Sequence, residues 1–310
     1  MGEKHPAKFI WINGEYVDWP KAKLHVSTDT VLRGANVFEG LRAYASPDRK
    51  QLFIFRLDDH LDRLWDSMKV MRMSLPFSRE GLAAACTGIV ARNDFHEDLQ
   101  IRLTAYFGEG PLFAFEPDKI FTGAFILVLP RPSMLEATTG IACCVSSWRR
   151  ISDNVMPPRV KAGANYHQSR LVFVQAKLDG YDNAIILNDQ DKVSEGPGAC
   201  LVIVRDGRPI TPSVTSGILE SITRQTLGEL FNAELGLELV ERDIDRTELY
   251  VADEAFYCGS AYEVLPITSI DRYPLGDGRV GPICRRIRTI YRDVVRGSMP
   301  KYTHWLTPVY

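Results

Sequence analysis

The chain has 310 residues, 37 of them Lys or Arg and 39 Asp or Glu, for a net charge of -2. A hydrophobic fraction of 45% with 25% charged residues describes a folded globular protein rather than a disordered or fibrous one. No block of like charges could track a phosphate backbone or an anionic membrane, and the apolar stretch at 123–129 is too short to span a bilayer, so neither nucleic acid nor membrane is an expected partner. The N-terminus carries no basic-then-apolar export signal, which sets the cytoplasm as the expected location.

A chain of 310 residues exceeds what one compact core usually holds, so two subdomains are expected. Residues 9–12 and 15–17 read as a β-hairpin, because Asn13-Gly14 supplies the positive φ angles of a type I′ turn. Strand character returns at 51–56. Leu57, Leu61, Leu64, Met68 and Met71 then recur with helical spacing behind Asp58, which predicts an amphipathic helix capped by Asp58 and carrying Arg63. Ser78 is placed to cap a second helix running to Val90. Residues 99–107 and 120–129, rich in β-formers around the turn Gly108-Glu109-Gly110-Pro111, predict an antiparallel pair. Pro130-Arg131-Pro132 ends it, since proline cannot donate to a ladder.

These signals divide the chain into a small N-terminal α+β domain over 1–130, a linker over 131–139 and a larger C-terminal domain over 140–310. In the last, strands are expected at 140–148, 183–187, 200–205 and 254–257, helices at 165–178 and 221–235, and a hairpin turn at Asp206-Gly207. A final helix over 283–295 is expected to bury Ile283, Ile287, Ile290 and Val294 and to leave its arginines in solvent. The six cysteines, Cys86, Cys143, Cys144, Cys200, Cys258 and Cys284, form no C-x-x-C pair and read as core residues. The histidines, from His5 to His304, show no metal-ligand spacing, so no metal site is expected.

Four clusters could carry chemistry. In Arg159-Val160-Lys161-Ala162-Gly163-Ala164-Asn165-Tyr166, small residues after the lysine would allow close approach to the backbone, and burial of its amine would lower its pKa toward that of a nucleophile. On spacing alone a surface lysine beside a loop is the better reading. In Val193-Ser194-Glu195-Gly196-Pro197-Gly198, a carboxylate in a tight turn is either exposed or buried against a cationic partner. Residues 217–224 enter a helix whose free N–H groups suit either an anion or an ordinary Ser/Thr cap. Residues 252–261 end a strand on Gly259-Ser260-Ala261, a position that ligands commonly use.

The order of these clusters resembles the fold-type IV enzymes that use pyridoxal phosphate (PLP), and most closely the branched-chain amino acid aminotransferases. Val37-Phe38-Glu39-Gly40-Leu41-Arg42-Ala43-Tyr44 is similar to the family's F-E-G-x-R-x-Y segment, and the likeness extends from Trp11-Ile12-Asn13-Gly14 to Trp305-Leu306-Thr307-Pro308-Val309. The resemblance implies an α+β fold of two subdomains, an amino donor and a keto acid as substrates, and a homodimer or larger homo-oligomer. It implies that Lys161 holds the cofactor and shuttles the proton, that Glu195 keeps the pyridine nitrogen protonated, and that Tyr166 bonds the ring oxygen. By the same resemblance Arg63, Ile222, Thr223 and Ser260 would meet the phosphate, Leu219 would pack on the ring, and Phe38, Gly40, Arg42, Arg102 and Ala261 would border the substrate.

The pattern departs at Arg33 and Gln100, where the family commonly has tyrosines, at Arg131 and Met134 in the linker, and at Cys200. An arginine beside an apolar pocket needs an anion, so Arg33 is a candidate ligand for a substrate carboxylate in its own or a partner's site. Transfer from leucine, isoleucine and valine to 2-oxoglutarate is the leading expectation. A D-amino acid or (R)-amine transaminase of the same fold, and an aminodeoxychorismate lyase, remain alternatives.

Overall fold

The structure, a computed structural model, describes residues 7–48, 50–111 and 114–310; His5 lies outside the described residues. It divides into two compact units. One comprises Met1–Pro132, Val160–Ala164 and Val294–Tyr310, the other Ser133–Arg159 and Asn165–Asp293.

In the first unit, β1 (Phe9–Ile12) and β2 (Glu15–Asp18) form the expected hairpin, with φ of 50° at Asn13 and 96° at Gly14. A one-and-a-half-turn helix, α1 (Asp29–Arg33), precedes β3 (Asn36–Ala45) and β4 (Leu52–Phe55). Helix α2 (Leu57–Val70) buries Leu57, Leu61, Leu64 and Met68, as their spacing predicts. Its N-cap is Arg56, in the left-handed region and without a side-chain cap bond, rather than Asp58. Arg56 instead grips Asp59 through Nε and Nη2, both at 2.8 Å, and lies over the Trp305 ring. Ser78 does cap α3 (Arg79–Asn93), accepting a bond from Gly81 N at 3.0 Å.

Strands β5 (Leu99–Phe107) and β6 (Thr122–Pro130) pair antiparallel along their length. The sheet runs from the closing strand Leu306–Pro308 through β4, β3, β5, β6 and β1 to β2. Strand β3, held between β4 and β5, is one that the sequence does not advertise. Glu39, Gly40 and Arg42 interrupt any two-residue alternation, yet eight of its ten positions are buried because both faces are covered.

The second unit is built on β7 (Ile141–Arg149), helix α4 (Asn165–Leu178), β8 (Asn183–Leu187), β9 (Cys200–Arg205), β10 (Arg208–Thr211), helix α5 (Ile222–Leu230), β11 (Val240–Glu241), β12 (Glu254–Gly259), β13 (Glu263–Ile270) and helix α6 (Pro282–Val295). The strands form one mixed sheet in the order β11-β10-β9-β12-β13-β7-β8, and the short strand Tyr273–Pro274 pairs with β13. Asp206 and Gly207 turn β9 into β10 with φ of 49° and 72°. Helix α5 ends at Leu230 and continues as a π-helical turn over Phe231–Leu235, so the expected helix to residue 235 exists with a looser last turn. The two sheets with their flanking helices make the α+β fold that the resemblance implies.

Helix α6 corrects the reading of its arginines. Cys284, Ile287, Tyr291 and Val294 are buried, whereas Ile283 and Ile290 are half-buried, so the stripe is rotated from the one expected. The rotation carries Arg288 inward to 6% exposure, where Nη1 and Nη2 donate to the carbonyls of Ala137 and Met134, each at 2.8 Å. Glu263 holds the start of the same segment, accepting from Ser133 Oγ at 2.8 Å and Met134 N at 2.6 Å.

Candidate active site

The register of β3 against β5 sorts the first unit's candidates. Phe38, Gly40 and Arg42 stand opposite Thr104, Arg102 and Gln100, so all six share one face of the sheet. Glu39 points to the other face. On the first face, Arg102 lies over the Phe38 ring at 3.3 Å from its centroid and the Lys161 ammonium lies 5.1 Å from the same centroid. The lysine is placed by its backbone: Phe38 N donates to Lys161 O at 2.9 Å, and Lys161 N donates to Ser67 Oγ on α2 at 3.3 Å. Lys161, half-buried, is thus an extension of the sheet rather than a surface lysine.

Gly163 has a different reason from the one its sequence context suggests. A Cβ there would collide with the Asn36 side chain, and Gly163 N donates to Asn36 O at 3.0 Å, so the glycine lets the lysine segment close on β3. Gln100, in a family tyrosine position, donates to Leu41 O at 2.9 Å, and its Oε1 is buried with no partner among the described residues. Arg42 is 2% exposed and donates to Arg131 O at 2.7 Å. Arg33, at the end of α1, pairs with Asp29 one turn earlier and lies 4.9 Å over the Phe115 ring, so its anion comes from its own helix.

On the other face of β3 lies a cluster that sequence reasoning did not assemble. Arg63 binds both oxygens of Glu39, at 2.8 and 2.7 Å, and His60 Nδ1 lies 2.6 Å from Glu39 Oε2. Burial alone would push the Glu39 carboxyl up, but the Arg63 guanidinium and then His60 overcome it and hold the group well below the usual carboxylate range. Burial pushes the His60 imidazole down; Glu39 opposes this, while the charges of Arg63 and Lys161 add to it. Arg63 is therefore a fixed, half-buried cation and not a solvated helix charge. The one signal available beforehand was its spacing from His60 on a helix.

In the second unit the turn after β8 buries Glu195 to 5% exposure. Its Oε1 lies 2.7 Å from Arg150 Nη2, and Oε2 accepts from Leu219 N at 3.2 Å and from the Cys200 thiol at 3.6 Å. Arg150 is itself oriented by Gly217 O, 3.1 Å from its Nε. Gly196 and Gly198 lie against the Tyr257 and Tyr262 rings, which a Cβ at 196 would strike at 2.6 Å. They serve packing, and the carboxylate is not exposed. Glu195 is thus brought together with Leu219, and the chain runs from there through Ser221, the cap of α5, to Ile222 and Thr223 in its first turn. Ser260 and Ala261 occupy the turn from β12 to β13, closed by Tyr262 N donating to Gly259 O at 3.0 Å, beside residues 198–199. Tyr166 begins α4.

The chemistry of these groups fits a cofactor bearing an aldehyde, a basic ring nitrogen and a phosphate. The first unit offers an amine and a rigid guanidinium. The second offers a buried carboxylate, a helix N-terminus with hydroxyls, and the Ser194 hydroxyl, buried beside Glu195 with no hydrogen-bond partner among the described residues.

The family description amino-transferase class IV matches residues 36–270. The chain belongs to that family. This class IV aminotransferase is 39% identical over 304 residues, 97% of each chain, to the probable branched-chain-amino-acid aminotransferase of Aquifex aeolicus. Among solved structures, it matches branched-chain amino acid aminotransferase from Thermobaculum terrenum in its PLP form with a TM-score of 0.93 and 43% identity, covering 98% of this chain and 99% of that one. It also matches the branched-chain aminotransferase of the archaeon Thermoproteus uzoniensis with norvaline, with a TM-score of 0.92, 39% identity, and coverage of 98% and 100%. No helix among the described residues of the aminotransferase is long and apolar enough to cross a membrane.

Proposed function

We propose that this aminotransferase moves the amino group of L-leucine, L-isoleucine and L-valine to 2-oxoglutarate in two half-reactions, using pyridoxal phosphate, and that it does so as a homodimer or larger homo-oligomer in the cytoplasm. The carrying observation is that its likeness to a branched-chain aminotransferase extends over 97% of the chain, so that Lys161 and Glu195 both lie within a shared fold.

When bound, pyridoxal phosphate supplies an aldehyde carbon that takes the amino group and a protonated ring that accepts electrons as the substrate Cα proton leaves. Lys161 would hold the aldehyde through Nζ and, once displaced by the donor amine, carry the proton from and back to carbon as general base and acid. Glu195, fixed by Arg150 and Leu219 N, would keep a positive charge on the ring nitrogen. Tyr166 would donate to the ring oxygen, and Leu219 would pack on the ring face. Arg63, the first-turn N–H groups of Ile222 and Thr223, and the Ser260 hydroxyl would surround the phosphate, a set in which one dianion meets several fixed donors. The face bearing Phe38, Gly40, Arg42 and Arg102, with the turn at Ala261, would border the substrate. Arg33, held by Asp29, would line the entrance rather than seize the substrate.

An amino-donor panel with 2-oxoglutarate tests this, following cofactor absorbance in the first half-reaction and glutamate in the second. Turnover of the three branched-chain L-amino acids with silence on D-alanine and (R)-1-phenylethylamine is the expected result. The reverse pattern would move the substrate assignment to D-amino acids or (R)-amines, and pyruvate release without a keto acid would make the protein a lyase.

A further inference from the structure

Helix α6 carries Arg285, Arg288 and Arg292 at relative positions 0, 3 and 7, which share one face of a helix. Together with Arg279 from the preceding loop they line a cleft of about 920 Å³ whose other wall is residues 135–140. Of the residues lining it, Glu136 alone is acidic. Arg292 is paired with Asp293 at 2.9 Å, but Arg279, Arg285 and Arg288 form no ion pair among the described residues.

Arg288 is the built element. It is 6% exposed, its two terminal nitrogens are committed to the carbonyls of Met134 and Ala137, and its Nε has no hydrogen-bond partner among the described residues. Its positive charge is met by these peptide dipoles and by the field of the Glu263 carboxylate, with no ion pair among the described residues, and it shares its helix face with two further arginines. Like charges on one concave wall repel, and a low-dielectric wall concentrates their field in the cleft. Guanidinium forks match the paired oxygens of phosphates and carboxylates. Thr289, on the same helix face, also lines the cleft, its hydroxyl donating to Arg285 O at 3.1 Å.

We propose that this cleft binds a small organic oligoanion bearing phosphate or carboxylate groups, at a site separate from the groups assigned above to the cofactor and substrate. The site lies wholly within the second unit and uses none of the residues given a role in amino transfer.

The test is calorimetric titration of the protein saturated with pyridoxal phosphate, so that the cofactor's own phosphate site is filled. Pyrophosphate and citrate are titrated separately in about 0.15 M NaCl, where weak surface attraction is largely screened. One saturable site per chain is expected, with a dissociation constant below about 1 mM for at least one of the two anions. The double variant Arg285→Ala/Arg292→Ala should weaken it by at least about tenfold, and Arg279→Ala, on the loop outside the helix, should weaken it in the same direction, with melting temperature and cofactor absorbance unchanged. Pyrophosphate alone would identify a phosphate ligand and citrate alone a polycarboxylate; either supports the site. No saturable heat with both anions to about 10 mM, or undiminished affinity in the variants, overturns it.

Discussion

Arg150 Nη2 and Glu195 Oε1 stand 2.7 Å apart, and each side chain is 6% exposed. Such a pair gains little over an apolar replacement of both partners, but removing one leaves a buried charge without a counterion. Arg150→Met should therefore destabilise the protein by about 3–5 kcal/mol, read as a lower urea midpoint, and should weaken cofactor retention. An unchanged midpoint would show that Glu195 finds another partner.

Lys161→Ala removes the amine beside Phe38 without touching the backbone bonds to Phe38 and Ser67 that seat the segment. Amino transfer should fall by about 10⁴-fold, the upper range for a positioned acid–base group, while the melting temperature of the cofactor-free protein stays within a few degrees of the parent. Retained turnover would place the proton shuttle elsewhere.

The cluster of Glu39, His60 and Arg63 sets two components of pH dependence. Burial depresses the folded-state pKa of His60 below its ordinary 6.5, so the unfolded chain binds the extra proton first and stability falls as pH drops below that value. Glu39, held down by Arg63 and His60 against its burial, contributes stability that is present above its ordinary 4.5 and is lost as pH falls toward its folded value. Denaturation midpoints measured from pH 8 to pH 4 should show the first decline in the parent and not in His60→Asn, whose amide can still donate to Glu39. Parallel curves would assign that decline to another group.

Gly163→Ala places a methyl group against Asn36 and should cost about 1–3 kcal/mol, the usual range for overpacking. Because the strain would displace the Lys161 segment from β3, the donor half-reaction should slow as well. Gly180→Ala gives a reference, since its added Cβ meets nothing within 4 Å and only the positive φ of 81° opposes it.

All six cysteines are free and buried. Burial pushes Cys86, Cys258 and Cys284 up to about 12 and Cys144 up to about 11, and it raises Cys143 and Cys200 as well. With no thiolate to react, the native protein should be silent to a thiol reagent on the minute timescale and release six equivalents after denaturation. Fast labelling in the native state would expose a local opening.

Local chemistry was readable from the residues themselves. Asn13-Gly14 and Asp206-Gly207 can take positive φ cheaply, Ser78 can accept from a first-turn N–H, and the leucines of α2 mark one helix face, because each of these choices depends on neighbours within a few positions. The order of the lysine, glutamate and helix-start segments likewise carried the family, and with it the expected cofactor. Relations between distant segments were not readable. Only the pairing register of β3 and β5 decides that Phe38, Gly40, Arg42, Gln100 and Arg102 share a face while Glu39 turns to α2. Only packing decides that Arg150 neutralises Glu195 and that Arg288 turns inward. A side chain's charge is written in the sequence, but its counterion is set by which strands lie side by side, and a one-residue change of register would exchange every partner.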